Sequence, residues 1–195
     1  MPQRRVLLVL AAFLAGALVI VVSVMAMLPK APQVATPSAV GGPFQLVDQD
    51  GRNVTQAEFA GQPFLVFFGF THCPDICPTT LFEASQALEA LGPDARKLAV
   101  LFISVDPERD TPEVMKSYVG SFHPSIRGLT GTPEQVAAAV KAYRAYAKKV
   151  PGQDGEYTMD HTALVYLMGK DGAFIAPFNL KRPPAEAAAD LKRYL

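Results

Sequence analysis

Phe64-Leu65-Val66-Phe67-Phe68 is apolar at every position, so a strand here must be covered on both faces. Ala99-Val100-Leu101-Phe102-Ile103-Ser104-Val105 has the same character, and Thr162 to Met168 reads as a third strong strand. Between the first two, Leu81, Phe82, Ser85, Leu88 and Leu91 recur at helical spacing, and Gly92-Pro93 stops that helix. Strands separated by helices predict right-handed crossovers and a parallel sheet.

The flanking segments add to this core. Phe44-Gln45-Leu46-Val47 alternates, Asp48-Gln49-Asp50-Gly51 turns the chain, and Asn53-Val54 follows, which predicts a hairpin. Thr111-Pro112-Glu113 opens a helix with a capping residue and proline at the first position. Thr132-Pro133-Glu134-Gln135 opens another, with Gln135 placed for a capping box. Val136, Val140, Tyr143 and Ala147 are expected on its inner face. Gly169 to Gly172 turns the third strand back into Ala173 to Phe178, and Pro184 to Tyr194 is a closing helix. The terminal hairpin makes the sheet mixed. An α/β chain of this order, with a cysteine pair just past its first central strand, follows the thioredoxin-like plan. Ligands in such sheets gather at the carboxyl ends of strands.

Val6 to Leu28 is a run without charge, long enough as a helix to cross a hydrocarbon core of about 30 Å. Arg4 and Arg5 precede it and only Lys30 closely follows, which favours a cytoplasmic N-terminus. A cleaved signal is the alternative, but secretory cores are usually about 7–15 residues long. No cysteine lies near the segment to carry a lipid. Pro29, Pro32, Pro37 and Pro43 mark a semi-extended tether. The expected organisation is therefore an anchor over 1–28, a tether over 29–43 and one domain over 44–195. No basic run follows Lys30, and the formal net charge is zero, so nucleic acid is not an expected partner.

The chain has two cysteines, Cys73 and Cys77. A domain this size does not need a staple, so their role is expected to be chemical. If a helix begins near Pro74 or Pro78, both sulfurs face one side near its N-terminus, where the dipole favours thiolate. Thiolates are the soft ligands that select Cu(I). Two of them leave a metal under-ligated. Of the three histidines, His72 adjoins Cys73 and is expected to point away; His123 reads as a surface or capping residue. His161, entering the third strand, is the candidate third ligand. No proline lies between Pro151 and Pro177, where redox members of this fold present a cis-proline.

Phe70-Thr71-His72-Cys73-Pro74-Asp75-Ile76-Cys77-Pro78 resembles the signature of the SCO/SenC family. Ser104-Val105-Asp106-Pro107-Glu108-Arg109-Asp110-Thr111 and Tyr157 with Met159-Asp160-His161-Thr162 resemble two further elements, with Thr162 where serine is common. The resemblance implies a thioredoxin-like domain on one membrane anchor. It implies one copper ion on Cys73, Cys77 and His161. It also implies delivery of copper, or redox preparation of thiols through a Cys73–Cys77 disulfide, for the binuclear centre of cytochrome c oxidase. The partner is then the copper-accepting oxidase subunit or another copper chaperone, and the setting a bacterial inner membrane with the domain in the periplasm. Three ligands leave one side open for an incoming thiolate, whereas a closed four-ligand site would trap the ion. Asp160 is expected either to orient His161 or to stand as a surface carboxylate, Asp106 to line the site or shape its Asp-Pro turn, and Met159 to pack in the core rather than donate.

The competing expectations are an exported thiol–disulfide oxidoreductase, a peroxidase of the peroxiredoxin kind, and a redox or copper sensor. The first needs the cysteines but not His161. The second needs an arginine beside the thiolate, and none is evident in the adjoining sequence. The Ala147 to Gly155 segment reads as an ordinary loop.

Overall fold

The computed structural model describes residues 40–153 and 155–195, and, near the N-terminus, residues 8, 13–18 and 20. The chain divides into two compact units, Met1–Thr36 and Pro37–Leu195. The described residues of the first are helical. Among the described residues, no helix is long and apolar enough to cross a membrane; most of Val6 to Leu28 lies outside them.

The second unit is a mixed α/β domain. Its strands are β1 (Gln45–Asp48), β2 (Asn53–Thr55), β3 (Phe64–Gly69), β4 (Ala99–Ser104), β5 (Ile126–Thr130), β6 (Ala147–Pro151), β7 (Tyr157–His161), β8 (Val165–Met168) and β9 (Phe174–Phe178). The helices are α1 (Ile76–Leu91), α2 (Pro112–Val119), α3 (Pro133–Ala142) and α4 (Pro184–Leu191). The main sheet runs β2-β1-β5-β4-β3-β8-β9. β5, β4 and β3 are parallel; β1 joins β5 antiparallel and β8 joins β3 antiparallel.

Burial explains this order. Every residue of β3, β4 and β8 is buried, so these strands take the centre. The β1–β2 turn is held by Asp48, whose carboxylate accepts the Asp50 and Arg52 amides at 2.9 Å each and Arg127 at 3.2 Å. The Thr132 hydroxyl accepts the Gln135 amide at 3.3 Å, and the Gln135 side chain accepts the Thr132 amide at 2.9 Å, closing the capping box of α3. Thr111 caps α2 through the Val114 amide at 3.4 Å.

Several expectations are corrected. Phe82 lies on the solvent side of α1 at 57 % exposure, because Ala84, Ser85 and Ala87 fill the inner face with Leu81 and Leu88. β8 starts at Val165, three residues late, since Tyr157–His161 belongs to a separate hairpin with Ala147–Pro151. The supposed loop is thus largely β6, and Ala147 sits there rather than on α3, which ends at Ala142. β5 is a further strand, whose polar and glycine positions, Arg127 and Gly128, carry no clear strand pattern. Val40 and Gly41, placed in the tether, already pack on the domain: Val40 contacts the core and the Gly41 amide donates to the Ala142 carbonyl at 3.0 Å.

Candidate metal centre

β3 delivers the chain to the site. At its last residue, Gly69, an added Cβ would lie 2.7 Å from Cys77 Sγ and 2.6 Å from the Phe102 ring. Only glycine lets the strand end approach the sulfur this closely. A turn follows in which the Cys73 amide donates to the Phe70 carbonyl at 3.2 Å. Its start is fixed by Asp110, fully buried, which accepts the Thr71 amide at 3.1 Å, the Thr71 hydroxyl at 2.6 Å and the Ser104 hydroxyl at 2.5 Å.

α1 begins at Ile76, so Cys77 occupies its first turn and Cys73 stands just before it. The Cys77 amide, free of an intrahelical partner there, donates to Cys73 Sγ at 3.4 Å. Both cysteines are free thiols; Cys73 is 8 % exposed and Cys77 is fully buried. Burial pushes the Cys77 thiol up. A backbone hydrogen bond with Phe70 works the other way, while Cys73 and Asp110 reinforce the rise. At Cys77, desolvation therefore overrides the expected help of the helix N-terminus.

His161 ends β7, and its ring meets Phe67 and Phe70 edge-on, with centroids 6.1 and 5.7 Å apart. Its Nδ1 lies 3.2 Å from the Thr162 carbonyl, which can only accept. The proton therefore sits on Nδ1, and the Nε2 lone pair faces Cys77 Sγ at 3.6 Å. The ligand atoms of Cys73, Cys77 and His161 all lie within 4.8 Å of one another. Among the described residues, they are the one such group of three metal-ligating side chains. Cys77 is fully enclosed, Cys73 is nearly so, and His161 is partly exposed. Two sulfurs and one imidazole suit a soft, low-coordinate cation.

A family model described as SCO1/SenC matches residues 32–195. The chain belongs to the SCO1/SenC family. Its domain is similar to a solved structure of Bradyrhizobium japonicum ScoI with copper bound, at 63% identity and TM-score 0.79, covering 80% of this chain and 100% of that one. It is 41% identical to the mitochondrial SCO1 homolog of Homo sapiens over 80% of this chain and 53% of that protein. The chain thus spans about half the length of the curated mitochondrial relatives it matches. A more distant structure, BsSco, at 26% identity and TM-score 0.64, covering 83% of this chain and 97% of that one, is described as a Sco protein of cytochrome c oxidase assembly with a disulfide switch.

Within this SCO1/SenC domain the three expected ligands come together, and of the two readings of Asp160 the structure supports the surface one. Asp160 lies on the exposed side of β7, because strand alternation turns it opposite His161; the Thr162 carbonyl orients the ring instead. Asp106 is buried and accepts from the Tyr157 hydroxyl at 2.9 Å and from Arg109 Nε at 2.5 Å. Met159 is partly buried against the core beside Val105 and Val140. His72 is exposed, with Nδ1 3.1 Å from the Thr71 hydroxyl, and His123 Nδ1 accepts the Ser125 amide at 3.1 Å in a turn. Gly69, Phe67 and Asp110 were given no site role from the sequence. The third acid in Asp106-Pro107-Glu108-Arg109-Asp110 was the available sign, since a carboxylate just before a helix cap must find donors.

Proposed function

We propose that this chain binds one copper ion on Cys73, Cys77 and His161 and passes it to the copper-accepting subunit of cytochrome c oxidase, or exchanges it with another copper chaperone. The observation that carries this reading is the convergence of three ligand atoms within 4.8 Å from two separate elements, the start of α1 and the end of β7. Tight holding and easy release are both served. Two thiolates and an imidazole grip Cu(I), while the side beyond Cys73 and His161 admits an acceptor thiolate. The ion then moves by ligand exchange, with no change of oxidation state. The copper-bound relative at 63% identity supports the cargo, and the Sco family's oxidase-assembly role supports the destination. Val6 to Leu28 serves as the anchor in a bacterial inner membrane, with the domain periplasmic.

A second reading is favoured by the sulfurs alone. Cys73 can attack an acceptor disulfide, and Cys77 then resolves the mixed disulfide. The chain is left with a Cys73–Cys77 bond and the acceptor with two thiols, so two electrons pass outward. The test is to titrate the reduced full-length chain, in detergent, with Cu(I) against a competing chelator. The parent should bind one equivalent, Cys73→Ser and Cys77→Ser should each abolish stoichiometric binding, and His161→Ala should leave only a much weaker two-sulfur site. Reduction of a model disulfide that ignores His161, together with copper binding that ignores it too, favours the reductase.

A further inference from the structure

His161 rides on a hairpin that shares no strand pairing with the main sheet. β6 and β7 pair only with each other, from Ala147–His161 to Pro151–Tyr157. The hairpin's middle borders an open cavity of about 520 Å³, lined by Val105, Val136, Val140 and Met159 among others. Met159 and Ala147 pack partly on the core there, beside that open space, so the hairpin's ends carry much of its placement. At one end, His161 meets Phe67 and Phe70. At the other end, roughly 13 Å away at about 3.3 Å per strand residue, stands Tyr157.

Tyr157 is held from three directions. Its hydroxyl donates to Asp106 Oδ1 at 2.9 Å, and its carbonyl accepts from Arg109 Nη1 at 3.1 Å. The Arg109 guanidinium stacks 3.7 Å from the ring centroid, and Lys149 Nζ lies 3.9 Å from it, paired with Glu108 at 2.6 Å. Arg109 is itself locked to Asp106 Oδ2 at 2.5 Å. Asp106, Glu108 and Arg109 all belong to the β4–α2 loop, whose Asp110 anchors the start of the cysteine turn through Thr71. One short loop thus grips both halves of the ligand set.

We propose that the Asp106–Arg109–Tyr157 clasp is a positioning device. It fixes the register of the β6–β7 hairpin on the body and so sets where the His161 imidazole stands relative to the two sulfurs. This rests on the copper reading for its affinity readout, not for its metal-free one. A charged, stacked clasp on the partly exposed end of a hairpin also lets the histidine leave and return without unfolding the sheet.

The test uses Tyr157→Phe, which removes one hydrogen bond and keeps the ring, and Arg109→Lys, which keeps the charge and loses the fork. Both are expected to lower Cu(I) affinity by about 10–100-fold, the usual range for groups that orient ligands. In a His161→Ala background, the same changes should alter the residual affinity less than about twofold, because they act through the ring. In the metal-free chain, amide exchange across Tyr157–His161 should quicken about tenfold while exchange in β3 and β4 stays unchanged. Parental affinity together with parental exchange overturns the proposal. A loss that persists undiminished without His161 also overturns it. A parent whose copper binding ignores His161 sinks the copper reading instead, and the metal-free exchange still decides the clasp.

Discussion

Replacing Gly69 by alanine puts a methyl carbon 2.7 Å from Cys77 Sγ and 2.6 Å from Phe102 Cε2. Carbon contacts settle at about 3.5–4.0 Å, so the clash is roughly 1 Å deep on two sides. Neither neighbour can yield freely, because Cys77 and Phe102 are both fully buried. Overpacking of this kind costs about 1–3 kcal/mol. At about 2–4 °C per kcal/mol for a chain of this size, Tm falls by roughly 2–12 °C. The larger effect is on the site. Ligands must be held within about 0.5 Å of their working geometry, and the strain pushes directly on one of them. Copper affinity should fall about 10–100-fold. Calorimetry of the metal-free chain reads the first quantity and chelator competition the second. An alanine variant with parental Tm and parental copper affinity refutes the close approach.

Asp110→Ala strands the Thr71 amide and the Thr71 and Ser104 hydroxyls; each lost bond to a charged acceptor is worth about 1.5–3 kcal/mol, so denaturant unfolding should show a loss of several kcal/mol. Copper loading should strengthen with rising pH. A thiol is ordinarily protonated at neutral pH, and burial pushes Cys77 further that way, so binding must expel that proton. The apparent affinity then rises about tenfold per pH unit for each proton released, and a flat profile from pH 6 to 8 contradicts this. Phe82→Ala, on the exposed side of α1, should shift stability by no more than about 0.5 kcal/mol in the same unfolding assay.

The parts of this fold written in short-range pattern were legible. β3 and β4 announce themselves because two-faced burial demands unbroken apolar runs, and the Thr132–Gln135 box because its chemistry is local. β5 was hidden because Arg127 and Gly128 interrupt its pattern; Arg127 reaches Asp48 across the sheet, and a Cβ on Gly128 would come within 3.0 Å of Met115 and Val119. The β6–β7 hairpin was hidden because Lys148 and Lys149 break any apolar alternation in β6, and Lys149 finds its partner, Glu108, on a distant loop. The ligand trio was readable from residue type, since two thiols without a structural task need a third donor. Its supports were not. Asp160 looked suitable by adjacency, yet strand alternation turns it away, and the backbone carbonyl of Thr162 leaves no trace in sequence.

X-ray absorption at the copper edge of the loaded full-length chain reads the coordination sphere itself. Two sulfur scatterers and one imidazole nitrogen are expected, with the nitrogen lost in His161→Ala. Copper held by sulfur alone in the parent, or by oxygen and nitrogen without sulfur, contradicts a site built from Cys73, Cys77 and His161.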